Sequence, residues 1–235
     1  MALENLKMGL HLLEAAARLG NIHVVIISTI CVYPSNAPVP MVESTIYDGY
    51  PAPDTAPYGL AKRELLSLAE ALRSEFHLDF SYLIPTNLFG PGDHFEEAKS
   101  HVVPALIQRI HEAKRCAAPS IEVWGDGKAT RDLLYVEDAV EAIVKILQSG
   151  PYPFPINLGS GREVSIRELV EMLKELIGYT GDIHWDTSRP VGASRRILDI
   201  ARAQQHFGFT PRTPLKDGLC KSIDWYVNQV SKATE

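Results

Sequence analysis

The sequence is short of the features that would announce a disulfide scaffold, a metal, a membrane span or a nucleic-acid surface. Its 235 residues include three cysteines, Cys31, Cys116 and Cys220. They form no C-x-x-C pair and no even framework, which points to a reduced, intracellular setting. His94 and His101 stand seven apart and no H-x-x-x-H or H-E-x-x-H occurs, so no metal site is expected. Cationic residues are in the minority, and the net charge of −6 argues against nucleic acid or an anionic membrane as the main partner. An anionic small molecule is not excluded, because it needs only a local cationic pocket. No apolar run reaches the roughly 18 residues of a membrane-spanning helix. Glu4 and Glu14 break up the first twenty residues, so no signal peptide is visible and a cytoplasmic protein is expected.

What is present is an ordinary soluble composition, 46% hydrophobic and 22% charged, in a chain long enough for one sizeable domain with a smaller lobe. Helical spacing runs from Leu3 to Leu19, with Gly20 as a stop. His23–Thr29 is rich in β-branched residues and fits a strand buried on both faces. Residues 34–57 contain six prolines and little periodicity, and a loop of that length is more often functional than idle. Helices follow at 58–76, 101–114 and 136–147, and strands at 80–84, 121–124 and 156–158. Ser165 with Glu168 forms a capping box that opens a helix to about Ile177. A short strand at 183–185 and a closing helix at 215–230 complete the alternation. Such alternation predicts an α/β fold with a mainly parallel sheet.

A dinucleotide-binding sheet normally starts with a strand, a glycine-rich turn and a helix holding the pyrophosphate. Nothing of that kind precedes Leu3, so the chain reads as beginning in mid-sheet, with an exposed edge and an uncovered apolar face. A longer gene product, a partner chain that supplies the rest, or an abandoned cofactor role would each account for this. The one Gly-x-Gly between a strand and a helix, Gly159-Ser160-Gly161, has Val164 in the third glycine's place and reads as a structural turn.

Tyr58-Gly59-Leu60-Ala61-Lys62 lies near a helix start, and its i, i+4 spacing puts both polar side chains on one face. An ammonium there would favour the tyrosinate and bring the phenol towards a range useful for proton transfer, although a plain surface pair reads the same way. Thr29 stands at the carboxyl end of a parallel strand, where open α/β sheets bind ligands; it is equally an ordinary β-branched strand residue. Cys31 can be a small buried hydrophobe or a thiolate base, and His101 a helix-start residue or an imidazole acid.

The order of "TICVYP", "PYGLAK", "PTNLFGPGDHF", "SHVVPALIQRIHEAK", "VWGDGKATRDLLYVEDAVEAI" and "INLGSGREVSIRELVE" resembles the extended short-chain dehydrogenase/reductases, NAD-dependent epimerases and dehydratases. Within them the chain is most similar to the GDP-L-fucose synthase family, from about Asn5 to Trp225. The resemblance implies a partial Rossmann-like parallel sheet, its N-terminal strands missing, over residues 1–90 and about 128–160. A smaller α/β substrate lobe would take 91–127 and 161–235. It implies NADP(H)-dependent 3,5-epimerisation and 4-reduction of GDP-4-keto-6-deoxymannose, with Cys31 as base and His101 as acid. Tyr58 would donate the proton at carbon 4, Lys62 would lower the Tyr58 pKa and hold the nicotinamide ribose, and Thr29 would polarise the ketone. Pro85, Thr86, Asn87, Leu88 and His101 would line the cofactor, and Arg109, Trp124 and Arg131 would hold the GDP moiety. For Arg109 a solvated helix face is as good a reading. The helices at 3–19 and 58–76 imply a homodimer. Another nucleotide-sugar epimerase or dehydratase, or a non-catalytic binding module, remains an alternative. Three departures from the family stand out: Thr29 for serine, Ser28 for glycine, which would crowd the cofactor, and Val191 for an acid.

Overall fold

The computed structural model describes residues 2–95, 100–189 and 192–233, with side chains as far as Val230. In chain order it begins with α1 (Ala2–Leu19), β1 (His23–Ile27), α2 (Ala56–Phe76), β2 (Asp79–Pro85), β3 (Asn87–Phe89) and α3 (Val102–Arg115). There follow β4 (Ser120–Trp124), β5 (Thr130–Tyr135), α4 (Val136–Ser149), β6 (Pro155–Leu158), β7 (Glu163–Ser165) and α5 (Ile166–Ile177). The chain closes with β8 (Asp182–Asp186), β9 (Arg195–Arg196), α6 (Ala201–Phe207) and α7 (Leu215–Ala233). Short 3₁₀ turns at Ile30–Val32 and Glu43–Thr45 punctuate the segment after β1. Among the described residues no helix is long and apolar enough to cross a membrane.

Contacts divide the chain into two compact units. The first takes the residues up to Asn87 together with 139–161 and 197–211. Its centre is a parallel sheet in the order β1-β2-β6, with His23–Ile27 against Asp79–Leu83 and Tyr82–Pro85 against Pro155–Leu158. Phe80, Tyr82, Leu83 and Ile84 are inaccessible to solvent, the continuous burial expected of a parallel strand covered on both faces. Each such side chain contributes about 1.5–3 kcal/mol relative to exposure. Helices α1 and α2 pack against each other.

Two polar residues tie this unit together from inside. The Tyr82 hydroxyl donates to the Lys62 carbonyl on α2 at 2.7 Å, so the Ser28 hydroxyl, 2.6 Å away, donates to Tyr82. Ser28 therefore spends its side chain in the core and does not crowd the ligand face, contrary to the expectation from sequence. Asn157 on β6 donates from its main chain to the buried Glu43 and from its side chain to the carbonyls of Met41 and Asp199. It also accepts from the Tyr33 hydroxyl at 2.6 Å, so the proline-rich loop is pinned to the sheet at several points.

The second unit takes Leu88–Asp138, Arg162–Arg196 and the chain from Arg212 onward. Here β4 pairs in parallel with β8, while β5 runs antiparallel to β7 and parallel to β9. Helices α3, α5 and α7 cover these strands around Ile107, Ile110, Leu169, Val170, Leu173 and Leu219. Ser165 caps α5 with the full reciprocal capping box expected from its sequence.

The parallel α/β architecture is as the alternation predicts. Strand β1 stops at Ile27, two residues short of the expected end, because Thr29 turns away to cap the 3₁₀ turn. Helix α2 starts earlier than expected, with Pro57 in its first turn, where a missing N–H costs nothing. Strands β3, β5, β7 and β9 and helix α6 carry too few alternating apolar positions to be read from sequence.

Replacing Tyr82 by Phe is expected to lower stability by about 1–3 kcal/mol, since it leaves the Lys62 carbonyl and the Ser28 hydroxyl buried without their partner. Urea unfolding should show a shifted midpoint with an unchanged slope.

Candidate active site

The first unit gathers four polar side chains at the carboxyl end of β1. Thr29 has extended backbone (φ −157°, ψ 151°), and its hydroxyl oxygen accepts from the Cys31 N–H at 3.3 Å, capping the turn Ile30–Val32. That turn puts the half-buried Cys31 at the front of the sheet, while Ile30 and Val32 enter the core. The first turn of α2 lies directly on it. A Cβ at Gly59 would stand 2.1 Å from the Cys31 carbonyl oxygen, so only glycine lets the helix approach this closely. The approach brings Tyr58, one residue before, to the same turn, and Lys62 follows one helical turn later.

Lys62 does not point at the phenol oxygen. Its Nζ lies 5.9 Å from the Tyr58 ring centre and donates to the Ile27 carbonyl at 3.1 Å. The expectation that Lys62 lowers the Tyr58 pKa is therefore not met. Burial raises the phenol above its usual value, and the neighbouring Cys31 adds to the rise. Burial likewise lowers Lys62. A phenol shifted upward keeps its proton through neutral pH. Pro85 and Thr86, both buried, and the half-buried Asn87 continue from β2 beside β1, and the Thr86 N–H is fixed to the Leu158 carbonyl at 2.8 Å. Gly161 closes the turn after β6 against Ile200, which leaves Gly159-Ser160-Gly161 a structural turn.

The remaining expected residues belong to the second unit. Leu88 is half-buried, and His101 is exposed at the N-cap of α3, its carbonyl accepting from the Ala105 N–H. Arg109, Trp124 and Arg131 come together on one cavity of about 350 Å³, also lined by Ser100, Asp126 and Ile166. Arg109 donates to the Glu122 carbonyl at 2.8 Å, and Arg131 to the carbonyls of Thr130 and Ala193. Each guanidinium is thus tied to a main-chain carbonyl. Burial and the adjacent Arg196 both lower the Arg131 pKa, the mark of two like charges held close together. The Ser100 hydroxyl is buried without a hydrogen-bond partner among the described residues. A cavity with paired guanidiniums, an indole and an unsatisfied hydroxyl suits a phosphorylated ligand with a flat ring.

Sequence reading missed Arg196, which lay unremarked in "SRRILD" beside its neighbour Arg195. It also missed Arg189, 5.4 Å from the Trp124 ring centre, and Arg167, 4.4 Å from that of Trp185. Val191 lies outside the described residues. Among those residues no group of three or more His, Cys, Asp or Glu is placed to hold a metal ion.

Gly59→Ala checks the close approach of α2. In an ordinary helix interior the change stabilises by about 1 kcal/mol. Here the clash with the Cys31 carbonyl is expected to reverse the sign and destabilise by about 1–3 kcal/mol. Denaturant melts of the two chains would show it.

Comparisons with known proteins agree on one group. The model of the NAD dependent epimerase/dehydratase family matches residues 1–159. A probable GDP-L-fucose synthase 1 from rice is 36% identical over 97% of this chain and 70% of its own length. The GDP-L-fucose synthase of Sinorhizobium fredii is 38% identical over 97% of the chain and 72% of its own length. Among solved structures, a GDP-L-fucose synthetase from Naegleria fowleri bound to NADP superposes with a TM-score of 0.91 at 26% identity, covering 99% of this chain and 74% of that one. A UDP-glucose 4-epimerase from Thermotoga maritima gives 0.86 at 27% identity, covering 97% of this chain and 71% of that one.

Proposed function

The chain belongs to the NAD dependent epimerase/dehydratase family, alongside its GDP-L-fucose synthases, and from that premise we propose that it acts on GDP-4-keto-6-deoxymannose. The reaction is epimerisation at carbons 3 and 5 followed by reduction at carbon 4. The observation that carries this proposal is the convergence of Thr29, Cys31, Tyr58 and Lys62 at the carboxyl end of one parallel strand.

The substrate's 4-keto group acidifies the C–H bonds on either side of it. Cys31, as thiolate, takes the proton from carbon 3 or 5, and the electron pair moves onto the ketone oxygen. The Thr29 hydroxyl, whose oxygen already accepts from Cys31, keeps its own proton to donate to that oxygen. A proton returned on the opposite face inverts the centre, the role that the family resemblance gives to His101. Tyr58, held protonated by its burial, then gives its proton to the oxygen on carbon 4 as that carbon is reduced. The half-buried Lys62 ammonium, which donates to the Ile27 carbonyl, would hold a ribose hydroxyl with a remaining N–H.

Within the first unit, Pro85, Thr86 and Asn87 would line the nicotinamide end of NADP(H), with Lys62 as the hydrogen-bonding group. When bound, the reduced cofactor supplies a hydride to carbon 4. Arg109, Trp124 and Arg131 would hold the GDP moiety, guanidiniums on the diphosphate and indole on a flat or apolar surface. A homodimer is supported by the exposed Leu3, Met8 and Leu12 on α1, which packs on α2. A cytoplasmic setting suits a base that must stay a reduced thiol.

Cys31→Ser is expected to slow solvent-deuterium incorporation at carbons 3 and 5 by about 10²–10⁴-fold, and Tyr58→Phe to slow reduction by a similar factor while incorporation continues. Unchanged incorporation in the serine variant would instead favour a different nucleotide-sugar epimerase or dehydratase. Separately, Arg131→Met should weaken GDP binding in calorimetry by about tenfold or more. Equal affinity would remove the diphosphate from this cavity.

A further inference from the structure

One buried cation is absorbed by none of these roles. Arg63 follows Lys62 on α2, yet its residue is only 7% exposed. Its Nε donates to the Val32 carbonyl at 3.1 Å, and its Nη2 donates to the same oxygen. Its Nη1 donates to the Gly49 carbonyl at 2.9 Å, and its guanidinium lies 6.0 Å from the Tyr47 ring centre. One side chain therefore joins the helix bearing Tyr58 and Lys62, the last residue of the turn bearing Cys31, and the proline-rich loop. Arginine suits this because its planar fork places two N–H groups on one oxygen while a third reaches elsewhere.

We propose that Arg63 is a positioning residue for Cys31, its forked guanidinium fixing the 3₁₀ turn so that the thiol faces the ligand. Gly59 touches the carbonyl of Cys31, and Arg63 grips the next carbonyl, that of Val32. Helix α2 thus holds two consecutive peptide groups of the turn, and the thiol retains only its own side-chain rotation. The consequence for catalysis rests on Cys31 being the epimerisation base; the positioning does not.

The test uses thiol access, which reports the turn whatever chemistry Cys31 performs. Arg63→Lys keeps the charge but loses the fork, and Arg63→Met loses both. In each, well below the melting temperature, the rate of iodoacetamide labelling at Cys31 is read by peptide mass spectrometry and divided by that at the exposed Cys116. Both variants are expected to raise this ratio about threefold or more, since access limits a half-buried thiol. A wild-type ratio in the lysine variant would mean that charge alone suffices, and the positioning role would be abandoned. Should either variant fail to fold, the unmodified chain decides by NMR. The Arg63 Nε–H should be protected from solvent exchange at neutral pH, and fast exchange overturns the clamp. With substrate present, Arg63→Lys should lower deuterium incorporation by about tenfold at unchanged KM, the scale of a small misplacement. If labelling rises in the lysine variant while Cys31→Ser leaves incorporation intact, the positioning stands and the base assignment fails.

Discussion

The contact between the first turn of α2 and the carbonyl of Cys31 governs the first unit. It is possible only because residue 59 has no Cβ, and it fixes the distance between two segments that are otherwise far apart in sequence. Everything else at that strand end reinforces the contact. Tyr82 supports α2 from below through the Lys62 carbonyl, Lys62 itself reaches back to Ile27, and Arg63 closes on Val32. Helix and turn behave as one piece because the main-chain contact at Gly59 is flanked by the Lys62 and Arg63 side chains, each ordered on a main-chain carbonyl. The entropy of ordering these groups is spent in folding, so orientation at the site is set before binding.

The second unit solves a different problem. In a chain with a net charge of −6, two arginines, Arg109 and Arg131, line one cavity, and a diphosphate ligand would need that local positive charge. Glu163 neutralises Arg195 through a two-pronged pair, which holds the carboxyl down to about 2, and the same carboxylate accepts from Thr130. Arg131 donates to the main-chain carbonyls of Thr130 and Ala193, which fix its direction.

Much of the fold was legible because long periodic segments need little context. The helices read at 3–19 and 58–76 and the capping box at Ser165 follow from spacing and hydrogen-bonding chemistry, with only the start of each helix displaced, by one and two residues. Strand β5 was hidden, since Arg131 and Asp132 interrupt its apolar run, although Asp132 is fully buried. Of the site, the Tyr58–Lys62 spacing was visible, but the direction of the Tyr58 shift was not. That direction depends on burial and on Cys31, neither of which spacing encodes. Ser28 was misread for the same reason: its hydroxyl belongs to a core partner, Tyr82, more than fifty positions away. Arg63 could not be distinguished from a solvated helical arginine until the loop that covers it was in place.

The Arg131–Arg196 pair has an energetic side as well. Arg131 and Arg196 sit in register on paired strands, so their like charges add to the cost of burying Arg131. A dianion seated between them would therefore act as a counter-ion to the fold, raising the melting temperature with the logarithm of its concentration.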